Sequence, residues 1–426
     1  MQGNIVSEAV LVFVVRILGV GFTFAYTAMI TRALGASESG IFFLAQTIIM
    51  ILTLVSRLGF DNLIVRKMSI YAGSEDQIQS WEVLGKVVLL VVVFSLILFL
   101  TINFLSAPLQ SLFAAQGLET ALSLLSIGIP LLAVLFVFSE ALKGLSYTIE
   151  STITQSLTLP LIYSLILYLS INRMSLGYVL WGYVFAAIIS LVTVTILLKK
   201  KIGVPSIKLL IAGGENARSL LVEALPLLWA GAAGLVFSWT DTLVLGVVQN
   251  SEEVGFYVVA SRSSQLISLI LMVANTLLGV RFAHLYHDKK MAELRRLFFK
   301  TAGVMLLLAG VSVLPYLLYP KIILGLFGSQ FVEYVVPMKI LAVGQFINVA
   351  SGAGGILLVM VGRSKSLQYI MLFVMLFNLV FSYVLGGAYS GSGVAIATAL
   401  SLVLLNAMIL FKVNHFFKTC GSRNEL

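Results

Sequence analysis

Long apolar runs separated by short polar segments dominate the sequence. The runs are continuous rather than alternating, which is typical of helices and not of the strands of a membrane β-barrel. Each run approaches the ~20 residues that an α-helix needs to cross roughly 30 Å of hydrocarbon. We therefore predict an all-α polytopic membrane protein with about twelve transmembrane helices. Their expected limits are 5–30, 39–57, 87–105, 121–142, 151–171, 176–198, 219–248, 254–280, 301–319, 334–361, 367–385 and 393–413.

The composition excludes a soluble protein. Hydrophobic residues make up 60% of the chain and charged residues 11%, whereas a soluble domain carries about 25% charged residues. We interpret the net charge of +9 as the Lys and Arg of cytoplasmic loops, so no nucleic-acid partner is expected. Because Cys420 is the single cysteine, the chain forms no internal disulfide. The first apolar run continues past Arg16 to Ile30, so we interpret it as a spanning helix and not as a cleaved signal peptide.

Lysine and arginine are distributed unevenly between the two sides of the predicted membrane. With the N-terminus inside, 21 of the 27 Lys and Arg residues fall in cytoplasmic segments, three in outer loops and three within spans. Cytoplasmic loops collect such residues. We therefore expect a multi-pass protein of a bacterial or archaeal inner or plasma membrane, with both termini in the cytoplasm.

The two halves of the chain resemble each other. Glu38 and Glu253, Gly40 and Gly255, and Ala45 and Ala260 are each 215 residues apart. Six predicted spans lie between the matched segments, so the halves share their topology, as in transporters built from parallel repeats around a central cavity. We predict a six-helix lobe over 1–198, a cytoplasmic linker over 199–218, a second six-helix lobe over 219–415 and a cytoplasmic tail over 416–426.

No sequence motif indicates catalysis. A G-x-x-x-x-G-K-[S/T] phosphate loop, an H-E-x-x-H zinc motif and a cysteine cluster are all missing from the sequence. The predicted loops are about 20–30 residues at most, which is below the usual size of a domain. We expect neither an enzyme nor a cofactor or metal requirement.

Polar residues follow one face of the first span. Arg16 lies about eleven residues into it and shares a helical stripe with Glu8, Gly19, Thr23 and Thr27. A charge in hydrocarbon costs at least roughly 2.5–3.5 kcal/mol on insertion scales, so it usually faces a watery cavity or a partner. The stripe therefore indicates either a cavity lining or a hydrogen-bonded seam between helices. Gln46, with Ser39 and Thr53, forms a similar stripe on the second span and leaves the same two alternatives open.

Two opposite charges fall at similar depths in the seventh and eighth spans. Asp241 lies about nine residues before the connecting loop and Arg262 about eleven after it, so their depths agree within a few Å. Gln265 belongs to the polar face of the eighth span. One interpretation is a cation that binds phosphate beside a carboxylate that carries a proton, and the other is a structural ion pair that locks two helices.

Seven segments together resemble a known family. Their order and spacing are similar to those of polysaccharide-type exporters in the multidrug/oligosaccharidyl-lipid/polysaccharide (MOP) superfamily, in its O-antigen and repeat-unit flippase branch. The matching segments are 31–42, 58–60, 241–246, 253–257, 326–328, 360–365 and 391–398.

The resemblance implies a transporter of two six-helix lobes that moves an undecaprenyl-pyrophosphate-linked oligosaccharide to the outer leaflet by alternating access. Family members carry basic residues in a central cavity, and Arg16 and Arg262 are the positions that fit this role. An arginine suits a pyrophosphate because its guanidinium donates several hydrogen bonds and stays charged. The resemblance also implies sugar contacts by Thr23, Thr27, Gln46 and Gln265, and ion coupling by Asp241.

The expected partners are the lipid-linked oligosaccharide, membrane lipids, a glycan polymerase and a chain-length regulator. Two other functions remain open. A multidrug or cation antiporter of the same superfamily would favour acidic and aromatic cavity residues instead of arginines. A membrane polysaccharide polymerase or ligase would typically carry a substantial periplasmic loop with catalytic residues.

Overall fold

A computed structural model describes residues 2–71, 77–202 and 216–421 of the chain. These residues form helices joined by turns, and no strand occurs among them. The structure therefore confirms the predicted all-α fold. The chain divides into two compact units, Met1–Leu235 and Val236–Leu426. The predicted linker lies mostly outside the described residues, and the division between the units falls within the helix that follows it.

The first unit contains eight complete helices and the beginning of a ninth within the described residues. A π-helical turn at Ile153–Leu157 and a 3-10 turn at Ile171–Arg173 connect neighbouring helices. The helices are α1 (Gln2–Ser56), α2 (Phe60–Tyr71), α3 (Gln77–Leu112), α4 (Leu118–Leu125), α5 (Gly128–Gly144), α6 (Thr148–Thr152), α7 (Thr158–Leu169), α8 (Leu176–Ile202) and the start of α9 (Ala217–Val248).

The second unit continues α9 and ends with a very long helix. The 3-10 turns Leu266–Ser268 and Ser329–Glu333 lie between earlier helices of this unit. Its further helices are α10 (Ser251–Gln265), α11 (Leu269–His287), α12 (Met291–Leu318), α13 (Pro320–Gly325), α14 (Val335–Ala350), α15 (Gly354–Met360) and α16 (Ser364–Gly421).

Helices α1 and α16 each contain two of the predicted spans. At 1.5 Å per residue, a helix of 55 residues such as α1 would be about 80 Å long, far more than one crossing requires. The backbone breaks at Gly35 in α1, with φ 76° and ψ −175°. In α16 it breaks at Tyr389 and Ser390, where Ser390 has φ 52°. Each break separates two successive apolar segments of spanning length.

Length and composition identify the other spans. Within the described residues, seven helices are long and apolar enough to cross a membrane, and up to nine if each bent helix pair is one span. Helices α4 and α5 form one such pair, bent by 41°, and α14 and α15 form the other, bent by 40°. Helices α1 and α16 each contain a second crossing that this count leaves out. Adding these two crossings and the shorter apolar helix Trp239–Val248 brings the count close to the predicted twelve.

Each unit has its own apolar core. In the first unit, α2, α3 and α5 pack around Phe60, Met68 and Leu84. In the second, α11, α12, α15 and α16 pack around Phe282 and Phe298. Large apolar side chains also cover the outside, as Phe104 with 85% and Leu307 with 72% exposure illustrate. Such a surface suits hydrocarbon and not water, because soluble proteins rarely expose large apolar patches.

The internal repeat predicted from the sequence has a structural counterpart. The backbone of the first unit breaks at Gly35, and α10 of the second unit begins after its N-cap residue Asn250. These residues are also 215 positions apart. The Asn250 side chain accepts a hydrogen bond from the Glu253 N–H at 2.9 Å, which satisfies one of the free donors at a helix start.

Candidate functional site

Asp241 forms the centre of a buried polar cluster in the second unit. Its carboxylate, on α9, accepts hydrogen bonds from the Tyr257 hydroxyl of α10 at 2.7 Å and from the Thr398 hydroxyl of α16 at 2.6 Å. The Ser382 hydroxyl of α16 lies 3.5 Å from the other carboxylate oxygen. Asp241 is 7% exposed, and Tyr257 and Ser382 are buried more completely. We call these residues, together with the buried Asn378 of α16, the Asp241 cluster.

The hydroxyl groups of this cluster compensate the burial of the Asp241 carboxylate. A buried carboxylate is costly unless hydrogen bonds or neutralisation compensate its charge. The Thr398 hydroxyl has a single proton, and it lies within hydrogen-bond distance of both Asp241 and the Val394 carbonyl at 3.0 Å. It can therefore donate to the carboxylate when this is charged, and to the carbonyl when a proton or another cation occupies the carboxylate. Within the described residues, no group of three or more His, Cys, Asp and Glu side chains could hold a metal ion.

The sequence left open an ion pair between Asp241 and Arg262, and the described residues show no such pair. The partners of Asp241 are hydroxyl groups, while Arg262 is a half-buried residue near the end of α10. Tyr257 of α10 is the residue that contacts Asp241 of α9. Similar predicted depths therefore did not identify the hydrogen-bond donors of Asp241.

Arg16 lies exposed on α1 in the middle of an apolar segment. The rest of its stripe changes character along the helix. The half-buried Thr23 donates to the Gly19 carbonyl at 2.9 Å, and the buried Thr27 donates to the Thr23 carbonyl at 2.6 Å. A Cβ atom at Gly19 would collide with the Ser156 carbonyl. The stripe is thus packed against the π-helical turn at Gly19, and Glu8 and Arg16 form its exposed part.

The two glutamines predicted to contact sugars differ in exposure. Gln46 of α1 is 7% exposed and is therefore held inside the first unit. Gln265 is exposed at the end of α10, and its amide nitrogen lies 3.2 Å from the Ser261 hydroxyl. Within its own unit, Gln265 is thus more accessible to a ligand than Gln46.

A charged network in the first unit was not predicted as a site. Arg57, at the end of the α1 segment, forms an ion pair with Asp61 of α2 at 2.7 Å and lies 4.7 Å above the Phe136 ring of α5. Burial raises the pKa of the Asp61 carboxyl despite the nearby Arg57 guanidinium, and the Glu140 carboxylate raises the pKa further. Within the described residues, the Asp61 Oδ1 atom is buried without a hydrogen-bond partner.

Glu140 belongs to the same network. It accepts from Lys143 at 3.0 Å and from the Gln155 amide of the π-helical turn at 2.9 Å. The spacing of Glu140 and Lys143 along the sequence suggests an ordinary surface pair, but Glu140 is only 8% exposed. The sequence signal that could have identified the network is the presence of charged residues at positions 57, 61 and 140, next to the ends of apolar runs.

Comparison with solved structures shows which known fold the chain has. The lipid II flippase MurJ in an inward closed conformation matches with a TM-score of 0.74 and 15% identity, over 96% of this chain and 87% of that one. An inward-facing multidrug resistance MATE transporter matches with a TM-score of 0.73 and 14% identity, over 97% and 99%. A MOP superfamily transporter from Pyrococcus furiosus gives a TM-score of 0.61 and 15% identity, over 98% and 96%. The chain therefore has the fold of MOP superfamily transporters, as the resemblance implied.

A family match makes the identification more specific. Residues 5–278 match the family described as polysaccharide biosynthesis protein. This match covers more than half of the chain, so the chain belongs to the polysaccharide biosynthesis protein family. No curated protein matches its sequence. The family acts in polysaccharide biosynthesis, and the structural relatives are transporters or flippases. The chain itself is a multi-pass membrane protein.

Proposed function

We propose that the chain is a flippase. In this proposal it moves an undecaprenyl-pyrophosphate-linked oligosaccharide, an O-antigen or other surface-polysaccharide repeat unit, from the cytoplasmic to the outer leaflet by alternating access. The observation that supports it most directly is the combination of a polysaccharide biosynthesis family match with a fold similar to that of a lipid II flippase. The uneven Lys and Arg distribution further supports an inner or plasma membrane location with both termini in the cytoplasm.

Arg16 and Arg262 are the proposed pyrophosphate-binding residues. Arg16 is an exposed cation within an apolar span, a position that is costly in hydrocarbon and stable beside water or an anion. A guanidinium binds phosphate oxygens through paired hydrogen bonds. Thr23 and Gln265 are accessible enough to contact sugar hydroxyls, whereas Thr27 and Gln46 are buried and would contribute by positioning α1. The prenyl chain would remain in the surrounding lipid.

Asp241 is the proposed coupling residue. Its hydroxyl donors stabilise the ionised carboxylate, and their rearrangement compensates binding of a proton or another monovalent cation. Partners under this proposal are a glycan polymerase and a chain-length regulator, which use the flipped product. No catalytic step is assigned to this chain.

The proposal is tested by repeat-unit translocation in a strain that lacks the protein. The leaflet location of the lipid-linked oligosaccharide is measured with wild type, Arg16→Ala, Arg262→Ala or the control Arg173→Ala supplied at equal expression. Arg173 is an exposed cation in a predicted outer loop. Without the protein, we expect the lipid-linked oligosaccharide to accumulate in the inner leaflet. Wild type and Arg173→Ala should restore its translocation, whereas Arg16→Ala and Arg262→Ala should each lose about tenfold or more of the translocation activity.

Two results would contradict parts of the proposal. If the glycan still crosses in the strain without the protein, the flippase function is wrong. If all three variants restore translocation equally, the function stands and the arginine site is wrong.

The likeness to a multidrug MATE transporter favours one second candidate, a drug or cation antiporter. That function predicts increased drug sensitivity of the deletion strain with normal glycan location. A polymerase or ligase predicts unpolymerised repeat units on the outer leaflet.

A further inference from the structure

An apolar groove lies on the first unit between α3, α5 and α8. Its cavity volume is about 320 Å³, within the usual range of roughly 300–1,000 Å³ for small-molecule sites. Trp81, Val88 and Val92 form one wall and Phe138 forms another. Apart from Lys199 and Thr195, the lining side chains are apolar or glycine. Such a lining suits a hydrocarbon chain and cannot satisfy the hydroxyl groups of a sugar.

The length of the groove corresponds to one leaflet. Trp81 and Val92 are eleven residues apart on the same helix face, which is about 16 Å at 1.5 Å per residue. The hydrocarbon core of a bilayer is roughly 30 Å thick. The groove therefore spans about half of the core. Trp81 marks one end, and tryptophan is enriched where the hydrocarbon meets the headgroups.

A cation lies at the Trp81 end of the groove. Lys199 lines the groove and is exposed. Its neighbour Lys201 is engaged elsewhere, because its ammonium contacts Glu150 at 3.0 Å and lies 4.1 Å above the Tyr147 ring. In the described part of the chain, no carboxylate forms an ion pair with Lys199. This end of α8 is also the end that the Lys and Arg distribution assigns to the cytoplasm.

We propose that this groove binds an anionic phospholipid of the inner leaflet. One acyl chain lies along α3 against Val88 and Phe138, and the headgroup phosphate lies beside the Lys199 ammonium. The apolar walls select the chain, and the lysine selects an anionic over a zwitterionic headgroup. A single basic residue at a membrane surface favours anionic lipid by about fivefold. The site is distinct from the Asp241 cluster, which belongs to the second unit.

The test uses the full-length protein and a phosphatidylglycerol with a photoreactive group in its acyl chain. Val88→Trp fills the groove, and Val93→Trp is its control, because Val93 is exposed on the same helix and does not line the groove. Lys199→Glu reverses the charge, and Lys200→Glu is the neighbouring control. Cross-linked peptides are mapped by mass spectrometry, and competition with unlabelled phosphatidylglycerol and phosphatidylethanolamine gives the headgroup preference.

We expect cross-links in 81–92 and around Phe138 that Val88→Trp reduces and Val93→Trp leaves unchanged. Lys199→Glu should lower the preference for phosphatidylglycerol about fivefold or more, while Lys200→Glu retains it. Three results would overturn the proposal. They are uniform labelling of all lipid-facing helices, equal competition by the two phospholipids, and displacement by undecaprenyl phosphate alone, which would assign the groove to a prenyl chain.

Discussion

Tyr26 and Asp241 occupy equivalent positions in the two halves of the chain, 215 residues apart. The same offset relates Phe42 to Tyr257 and Tyr183 to Thr398. In the first unit, the Tyr26 ring lies 5.0 Å from Tyr163, and Phe42 lies 6.0 Å from Tyr183. In the second unit, the equivalent residues form the hydrogen-bonded cluster around a carboxylate. The repeat thus places an aromatic cluster and an ionisable cluster at corresponding sites.

This asymmetry bears on the proposed ion coupling. The rings of the first unit pack against one another, and the Tyr163 hydroxyl donates to the Val179 carbonyl at 2.9 Å. The side chains of Tyr26, Phe42, Tyr163 and Tyr183 include no carboxylate. Of the two equivalent sites, the second contains the carboxylate on which the proposed coupling rests.

Removing the Tyr257 hydroxyl should destabilise the second unit. Tyr257→Phe eliminates the 2.7 Å hydrogen bond to Asp241 and leaves a buried acceptor with one donor fewer. We expect a loss of about 1–3 kcal/mol in the free energy of unfolding. Thermal unfolding of the detergent-solubilised protein measures it. The control is Tyr316→Phe, which loses a hydrogen bond to the uncharged Ser263 carbonyl and should cost less. A larger loss in the control would contradict the assignment of a charged acceptor to Tyr257.

Gly35 should not tolerate a side chain. Its φ of 76° and ψ of −175° belong to a region that is essentially restricted to glycine, so Gly35→Ala should cost about 1–3 kcal/mol. Gly21 on the same helix has open space at its Cβ position, and Gly21→Ala should be neutral or stabilise by up to about 1 kcal/mol. Unfolding of both variants in detergent compares them. Equal stabilities would show that the break in α1 does not depend on glycine.

The sequence predicted the parts of the fold that depend on local chemistry. The apolar runs identified the spans, and the repeat around Glu38 and Glu253 indicated that the two halves share their topology. Pairing could not be predicted in the same way. Thr398 and Ser382 are 157 and 141 residues away from Asp241 along the chain. The depth of a residue along its helix does not specify which neighbouring helix its side chain contacts. The predicted depths placed Arg262 near Asp241, whereas the hydrogen-bond donors found at Asp241 are the hydroxyl groups of Tyr257 and Thr398.

Asp61 should make stability depend on pH. Its pKa is raised by burial, so the folded state binds the carboxyl proton more tightly than the unfolded state. This stabilisation is complete below the unfolded pKa of about 3.9 and is lost as pH rises through the raised folded pKa. Relative to Asp61→Asn, which does not titrate, wild type should become more stable as pH falls through this window. Unfolding temperatures of both proteins across pH 4–8 give the comparison. Parallel curves would contradict the raised pKa.

Replacing Asp241 by asparagine should separate transport from its driving force. The asparagine oxygen can still accept from Tyr257 and Thr398, so Asp241→Asn should fold, but it cannot take up and release a proton or neutralise another cation. In proteoliposomes with lipid-linked oligosaccharide, we expect the acceleration by a proton or sodium gradient to fall by roughly tenfold or more, within the usual range of coupling free energies. Binding of the substrate should persist, because the proposed pyrophosphate site uses Arg16 and Arg262.

Glu253→Gln is the matched control, since Glu253 is an acid of the same unit that accepts from Tyr334 at 2.8 Å and lies outside the Asp241 cluster. If Asp241→Asn keeps the full gradient response while Glu253→Gln loses it, the coupling residue is Glu253, and the polar cluster in the second unit serves packing alone.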